Sequence, residues 1–329
     1  MICESGEASV GFVGVTGGAM QSTLADVHKP VENTVPAFTC TNDSKEITTY
    51  DRADYLAVAS GEAYGYLVNV TAEGLYDIVV EYRSSEACVL EICQNGEPIG
   101  EVSLAASDGA LARIAGRGMA LAAGRSTVTL RVKEGSAALL GFYFHKAEAV
   151  TETTYDFEDS MRYSYRDGSW KLVDGSLVLN SDFGKYMVGS ENWSNYVVES
   201  DITVTSGSVN AGLCVRVSNP ATHEVDGLSS GSDYLQGYFI GLGNGSVVLG
   251  KHNFDWQELG RVSFDAKSGQ TYRLTVEVIE NEIRISVDGE LLMTYVDTDA
   301  PFLHGMVGYR AHSCTMRASQ LTVSPIDGD

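Results

Sequence analysis

Residues 211–256 read AGLCVRVSNPATHEVDGLSSGSDYLQGYFIGLGNGSVVLGKHNFDW. Three short runs of apolar and β-branched residues are joined there by Gly, Asn, Asp and Ser, which favour turns. Similar alternating runs continue to residue 323, with turn signals at the spacing of roughly eight to twelve residues that is typical of an antiparallel β-sandwich. A sandwich is a scaffold, so its function has to be sought in loops and exposed aromatic residues.

A second set of short strands is predicted upstream, between residues 64 and 144. Turn signals separate these strands, namely AEG at 72–74, NGEP at 95–98, SDG at 107–109 and AAGR at 122–125. Neither half of the chain carries an apolar helical period long enough for a sizeable helix. The sequence therefore predicts an all-β protein with two β-sandwich domains of the jelly-roll kind.

The polar connector HKAEAVTETTYDFEDS divides the two predicted domains, which we place at residues 29–148 and 154–325. Residues 12–30, FVGVTGGAMQSTLADVHKP, can be laid over 306–325, MVGYRAHSCTMRASQLTVSP, with one gap. Residues 1–28 are therefore either the last hairpin of an upstream sandwich or an N-terminal extension. The first residues lack the basic and apolar regions of a signal peptide, which indicates either a cytosolic protein or a piece of a longer secreted chain.

The charge balance excludes two classes of partner. The chain has 329 residues, with 22 basic and 44 acidic side chains and a net charge of −22. Such a field repels nucleic acid and anionic membranes. No apolar run approaches the ~18 residues that span a bilayer. We therefore expect neither a nucleic-acid nor a membrane partner.

The cysteines and two of the three tryptophans are predicted to be structural. The spacing of the six cysteines matches no zinc pattern, and domains of this size do not need disulfides. Free and mostly buried thiols are the prediction. Trp170 and Trp193 begin predicted strands and are expected in the core.

The first half resembles the family 6 and family 35 carbohydrate-binding modules. The resemblance is carried by AYGYLVNVTAEGLYDIVVEYRSS, LEICQNGEPIGEVSL and LAAGRSTVTLRVKEGSAALLGFYF. In family 6 modules, aromatic residues from the first and last of these regions sandwich a sugar at one end of the sandwich. The resemblance implies that role for Tyr64 and Tyr143.

The second half resembles the concanavalin A-like sandwiches grouped with family 66 carbohydrate-binding modules and with modules of arabinofuranosidases and fructanases. The matching motifs include YDFEDS, SWKLVDGSLVL, NWSNYVVESDI, TYRLTVEVIENEIRISVDGELL and GMVGYRAHSCTMRASQLTV. The resemblance implies a non-catalytic module that binds a plant or microbial oligo- or polysaccharide. It also implies an upstream catalytic module in the same parent chain, and a secreted or cell-surface location.

A sugar site needs an aromatic face for the C–H side of the ring and planar polar side chains for its hydroxyls. Trp256 follows the predicted hairpin 241–250 in a polar run that also contains His252 and Asp255. Arg216 and Tyr238, in neighbouring predicted strands, are expected to face the same cleft. The family 66 resemblance implies that Arg216 and Asp255 hold a terminal sugar. The alternative for Trp256 is a core position beneath the hairpin.

No constellation for catalysis is apparent in the sequence. A glycoside hydrolase on this fold needs two carboxylates facing one cleft. The stretch of sequence most similar to such a site, Glu224-Val225-Asp226-Gly227-Leu228, lacks the second glutamate. No two histidines have the spacing of a zinc site. We predict no enzyme activity. The alternatives are a glycoside hydrolase whose pair comes from distant residues, and an adhesive surface module.

Calcium is the predicted metal. Asp156, Glu158 and Asp159 gather three hard oxygen donors within four residues at the start of the second domain. Calcium bound there would tie the two ends of a jelly roll together. The alternative is an ordinary solvated acidic turn.

Overall fold

The computed structural model describes residues 34–42, 45–50, 52–205, 210–220, 235–243 and 245–326. The chain separates into two compact units. The first unit comprises Met1–Ala147 with Thr298–Pro301, and the second comprises Glu148–Asp297 and Phe302–Asp329. The predictions for residues 1–28, and for the carboxylates at 224 and 226, lie outside the described residues.

The predicted all-β fold is confirmed. Within the described ranges, the helical structure consists of one turn of 3-10 helix, Ala37–Thr39, and one turn of α-helix, α1 (Phe157–Ser160). Among these residues no helix is long and apolar enough to cross a membrane.

The described strands of the first unit form two antiparallel sheets. One has the order β2-β3-β10-β5-β8, with β1 beside β10, and the other has the order β4-β9-β6-β7. The strands are β1 (Val35–Pro36), β2 (Glu46–Tyr50), β3 (Ala53–Ala59), β4 (Ala63–Val70), β5 (Gly74–Arg83), β6 (Cys88–Gln94), β7 (Glu97–Leu104), β8 (Ala112–Leu121), β9 (Gly124–Glu134) and β10 (Ser136–Lys146).

Alternating side chains of these two sheets meet in one core. Ile78 and Val80 of β5 face Leu90 and Ile92 of β6 in the same buried cluster. The period of two residues that indicated strands in the sequence is thus the period at which their side chains enter this core.

The second unit is one hydrogen-bonded path of strands folded into two layers. Its order is β19-β18-β17-β16-β23-β15-β20-β21-β22, with β11, β12, β13 and β14 joined beside it. The strands are β11 (Thr153–Thr154), β12 (Tyr165–Gly168), β13 (Lys171–Val173), β14 (Ser176–Val188), β15 (Tyr196–Val204), β16 (Ala211–Asn219), β17 (Gln236–Gly243), β18 (Ser246–Asn253), β19 (Trp256–Ser263), β20 (Thr271–Ile279), β21 (Glu282–Val287), β22 (Glu290–Val296) and β23 (Met306–Ser324).

The long strand β23 belongs to both layers. Residues 306–311 pair with β16, and residues 316–324 pair with β15. Val307 from the first part and Val323 from the second lie in a single core cluster. Trp170 and Trp193 are buried in that cluster, which confirms their predicted core positions.

The five cysteines that the structure describes are free and buried, as predicted. They are Cys40, Cys88, Cys93, Cys214 and Cys314. Burial raises the pKa of Cys214 to about 12, so its thiol stays protonated and is not a nucleophile near neutral pH.

Candidate functional site

A groove lies on the face of β16–β19 and β23 that is turned away from the core of the second unit. It has a volume of about 190 Å³. Its lining combines aromatic, apolar and charged side chains, namely Asn210, Phe239, Val248, Trp256, Glu258, Arg261 and Arg310. We call this cavity the groove.

Strand register explains why these side chains share one face. On β18 and β19, His252 pairs with Trp256 and Val248 pairs with Arg261. Paired residues point to the same side of a sheet, and every second residue along a regular strand does so too. A register shift at Leu249 and Gly250 breaks the alternation of β19, so Trp256 and Arg261 share this face although they are five positions apart. On β17, Phe239 therefore points toward the groove, whereas its neighbour Tyr238 lies in the core cluster.

Glycines keep the middle of this face free of side chains. Gly212 of β16 pairs both with Gly241 of β17 and with Arg310 of β23. Gly241 in turn pairs with Val248. Two glycines, Gly212 and Gly241, thus lie between Arg310 and Val248 on this face. Arg310 and Val248 both line the groove.

Trp256 supplies the accessible aromatic surface of the groove. Its side chain is 38% exposed, although it begins a strand. The ring of His252 lies 5.0 Å from it, centroid to centroid, and the ring of Phe239 lies 6.1 Å from it at an interplanar angle of 68°. The indole is therefore supported by two buried rings and open to solvent on the remaining side.

Charged groups flank this aromatic surface. The Nε of Arg261 donates to Oε1 of Glu258 at 3.0 Å, and its Nη2 donates to Oε2 at 2.7 Å. Arg261 also donates to the Ser246 hydroxyl at 2.9 Å. The hydrogen-bonded Arg261 guanidinium holds the pKa of Glu258 below its usual value, so Glu258 is ionised at neutral pH.

Arg310 forms the opposite charged wall. It is 5% exposed, and its guanidinium carbon lies 4.8 Å from the centre of the Phe239 ring. This distance is within the range of a cation–π interaction. Phe239 thus packs against Trp256 in a T-shaped arrangement and has the Arg310 guanidinium over its ring.

The arrangement suits a ligand with one apolar face and a rim of hydroxyls. Trp256 offers a flat apolar surface, and the carboxylate and guanidinium groups offer planar hydrogen-bonding partners. Glu258 is the single carboxylate among the described lining residues. Glycoside hydrolysis by an acid and a second carboxylate needs two such groups across a cleft.

Two predicted cleft residues have structural roles instead. Tyr238 is 1% exposed, and its hydroxyl donates to Asp297 at 2.6 Å on the core side of β17. Arg216 is 1% exposed and lies at a β-bulge with a φ of 54°. Its guanidinium donates to the carbonyls of Glu280 and Phe302 at 2.8 and 2.9 Å. A sugar cannot reach either side chain in this conformation, and we correct both predictions accordingly.

The other three predicted residues of this half lie at the end of the same hairpin. Trp256 lines the groove and is exposed, so it does not occupy the alternative position in the core beneath the hairpin. His252 is fully buried against Trp256, so it can support the indole but cannot touch a ligand. Asp255 is exposed in the turn before β19. Sugar contact by Trp256 and Asp255 stays a prediction.

The two predicted sugar-stacking residues of the first unit are buried. Tyr64 and Tyr143 are each 4% exposed. The Tyr64 ring packs in the core, and its hydroxyl donates to Glu62 at 2.6 Å. Tyr143 lies on β10, with the His145 ring 6.4 Å away. Neither ring presents a face to solvent, so the predicted stacking roles are corrected as well.

The predicted calcium ligands do not converge in this structure. Asp156 caps α1, because its carboxylate accepts a hydrogen bond from the backbone N–H of Glu158 at 2.9 Å. Among the residues that the structure describes, no three His, Cys, Asp or Glu side chains are placed to hold a metal ion. Calcium binding by Asp156, Glu158 and Asp159 therefore stays a prediction from the sequence.

Six of the seven lining residues were not predicted from the sequence, among them Phe239, Glu258, Arg261 and Arg310. A usable signal existed for the first two. Once Trp256 is placed on the groove face, strict alternation puts Glu258 on that face as well. Pairing back to β17 would then select Phe239 rather than Tyr238. Arg310 comes from a strand about fifty residues downstream, and local alternation cannot place it.

Comparison with protein families matches residues 150–323 to the 3-keto-alpha-glucoside-1,2-lyase-like domain. The groove lies within this span. Comparison with curated proteins gives no match.

Solved structures match parts of this chain. A family 66 carbohydrate-binding module from Bacillus subtilis is 18% identical, with a TM-score of 0.38, and the match covers 54% of this chain and 98% of the module. A B. subtilis protein of unknown function with a galectin-like fold is 13% identical, with a TM-score of 0.42 and coverages of 54% and 97%. A family 6 carbohydrate-binding module from Clostridium cellulolyticum, solved with xylose, is 18% identical, with a TM-score of 0.32 and coverages of 34% and 96%.

Identities this low carry no information about what this chain binds. The family match is different in kind, because its span covers more than half of the 329 residues. The chain belongs to the family of 3-keto-alpha-glucoside-1,2-lyase-like domains.

Proposed function

We propose that the second unit binds a carbohydrate in the groove, with one sugar ring stacked on Trp256. The observation that carries the proposal is an indole that is 38% exposed inside a cavity, next to the paired Glu258 and Arg261. A pyranose or furanose ring has an apolar C–H face that matches the indole. Its hydroxyls match the carboxylate and the guanidinium groups.

The size of the groove limits the part of the glycan that it holds. Its volume of about 190 Å³ is below the roughly 300–1,000 Å³ of pockets for drug-sized ligands. One sugar ring fits this space, and the rest of a longer glycan has to extend out of the groove. A terminal sugar of an oligo- or polysaccharide is therefore the ligand that we propose.

We propose that this binding is non-catalytic and that it targets an attached glycoside hydrolase to plant or microbial polysaccharide. The motifs of residues 154–325 resemble modules that are appended to such enzymes. A secreted or cell-surface location of the parent chain belongs to the same proposal. The absence of a second carboxylate among the described lining residues favours binding over hydrolysis.

Family membership supports a second candidate function, which is a lyase. Elimination from a 3-keto glucoside removes the proton at C2, which the C3 ketone acidifies, and expels the leaving group from C1 with its bonding electrons. One base is enough for the first step. Glu258 is ionised and lines the groove, so it is the residue that would take this proton.

A single set of incubations separates these functions. The full chain is mixed with a panel of plant and microbial polysaccharides, and with simple glucosides and their 3-keto derivatives. Retardation in polysaccharide-containing gels reports binding, reducing-sugar release reports hydrolysis, and the absorbance of an unsaturated keto sugar reports elimination. If the chain only binds sugar, we expect its retardation in polysaccharide-containing gels without any reaction product. Elimination by wild type that disappears in Glu258→Gln would replace the binding function with the lyase. If no glycan retains the chain, the binding function is refuted.

A further inference from the structure

Gly250 lies directly beneath the indole of Trp256. If Gly250 carried a Cβ atom, that atom would lie 2.0 Å from Cη2, 2.1 Å from Cζ3 and 2.7 Å from Cζ2 of Trp256. Three consecutive atoms of the six-membered ring are thus in the way of any side chain at this position. Real Cβ atoms essentially never come within 3.0 Å of another heavy atom.

The register of the hairpin brings these two residues together. Gly250 pairs with Glu258, and His252 pairs with Trp256, so Gly250 and Trp256 are diagonal neighbours on adjacent strands. An aromatic side chain is long enough to cover a diagonal neighbour. The φ angle of Gly250 is not in the left-handed region. The backbone would therefore accept alanine, and the three atoms nearest to an added Cβ all belong to the indole.

The remaining contacts of the indole fix the direction in which it could move. His252 and Phe239 support it with their rings, at centroid distances of 5.0 and 6.1 Å. Both supporting rings are buried. An indole pushed away from Gly250 can therefore only move outward, into the groove and toward solvent.

We propose that Gly250 is a positioning residue, which sets the plane of Trp256 by letting the indole lie flat on the β18 backbone. The inference rests on the proposed sugar binding, because the exposed face of Trp256 is the surface on which the sugar stacks. A methyl group at position 250 would displace the ring by about 1.4 Å, which is the step from 2.0 Å to an ordinary contact of 3.4 Å. In a groove that holds one ring, this shift removes room for the ligand.

Gly250→Ala tests the proposal, combined with Trp256→Ala in a double-mutant cycle. Two readouts are needed: acrylamide quenching of tryptophan fluorescence, and the affinity for a glycan that wild type retains. We expect Gly250→Ala to increase quenching and to weaken glycan binding at least tenfold. In the Trp256→Ala background, which we expect to bind no glycan, Gly250→Ala should leave the quenching of the remaining tryptophans unchanged. If Gly250→Ala lowers the melting temperature, the double variant should recover it, because the clash is gone.

The matched control is Gly260→Ala on β19. A Cβ atom there would meet only the flexible Met293 side chain, at 3.1 Å, and we expect wild-type quenching and affinity. Unchanged quenching in Gly250→Ala would overturn the proposal, and so would an equal increase in quenching with and without Trp256. If wild type binds no glycan, the sugar-binding function fails, and quenching still decides whether Gly250 positions the indole.

Discussion

Asp297 is a fully buried carboxylate whose removal should destabilise the second unit by about 3–5 kcal/mol. It accepts hydrogen bonds from Lys251 Nζ at 2.8 Å and from the Tyr238 hydroxyl at 2.6 Å. The Lys251 side chain is only 8% exposed. Asp297→Ala would leave the Lys251 ammonium buried without this partner, and that desolvated charge is the source of the cost.

This loss can be measured as a shift in melting temperature. For a unit of this size, 1 kcal/mol corresponds to about 2–4 °C, so we expect a decrease of roughly 6–20 °C. Asp265→Ala, which removes an exposed carboxylate, is the control and should change stability by no more than ~0.5 kcal/mol. Lys251→Met combined with Asp297→Leu should recover most of the loss, because both charges are removed together. A loss below ~1 kcal/mol in Asp297→Ala would refute the reasoning.

Two further predictions concern the tyrosines and the acidic turn. Burial raises the pKa of Tyr196 and Tyr309 above the usual value of about 10, so the stability that their neutral phenols confer is complete below that pH and is lost as pH rises beyond it. The measurement is the midpoint of unfolding in guanidinium chloride as a function of pH. A midpoint that does not change between about pH 10 and 12 would contradict this prediction. Asp156→Ala should cost about 0.5–2 kcal/mol through loss of the helix cap, in calcium and in chelator alike. A melting temperature of wild type that rises when calcium is added would instead support the metal site predicted from the sequence.

Strand positions could be predicted because burial follows local alternation. Alternating runs up to residue 323 predicted strands in the second half, and β20, one of these strands, spans Thr271–Ile279 with every second side chain buried. Trp256 could be found for a similar reason, since an aromatic residue in a polar run after a hairpin turn is easy to recognise.

The rest of the groove depends on contacts that alternation does not encode. All eight residues of β17 are buried, so the sequence could not show which face of this strand meets the core, and Tyr238 was chosen instead of Phe239. A β-bulge between Cys214 and Val217 turns Arg216 away from the regular alternation. Arg310 reaches the groove only through long-range pairing of β23 with β16. Bulges and long-range pairing are properties of the fold as a whole.

The most direct test of sugar binding in the groove is calorimetric titration of wild type and of Trp256→Ala with an oligosaccharide that the gel screen selects. Tyr163→Ala is the matched control, because Tyr163 is the most exposed aromatic residue among the described residues of the second unit and does not line the groove. We expect wild type and Tyr163→Ala to bind with the same micromolar to millimolar Kd. Trp256→Ala should show no measurable binding and a nearly unchanged melting temperature. Binding by Trp256→Ala with wild-type affinity would contradict the proposed site.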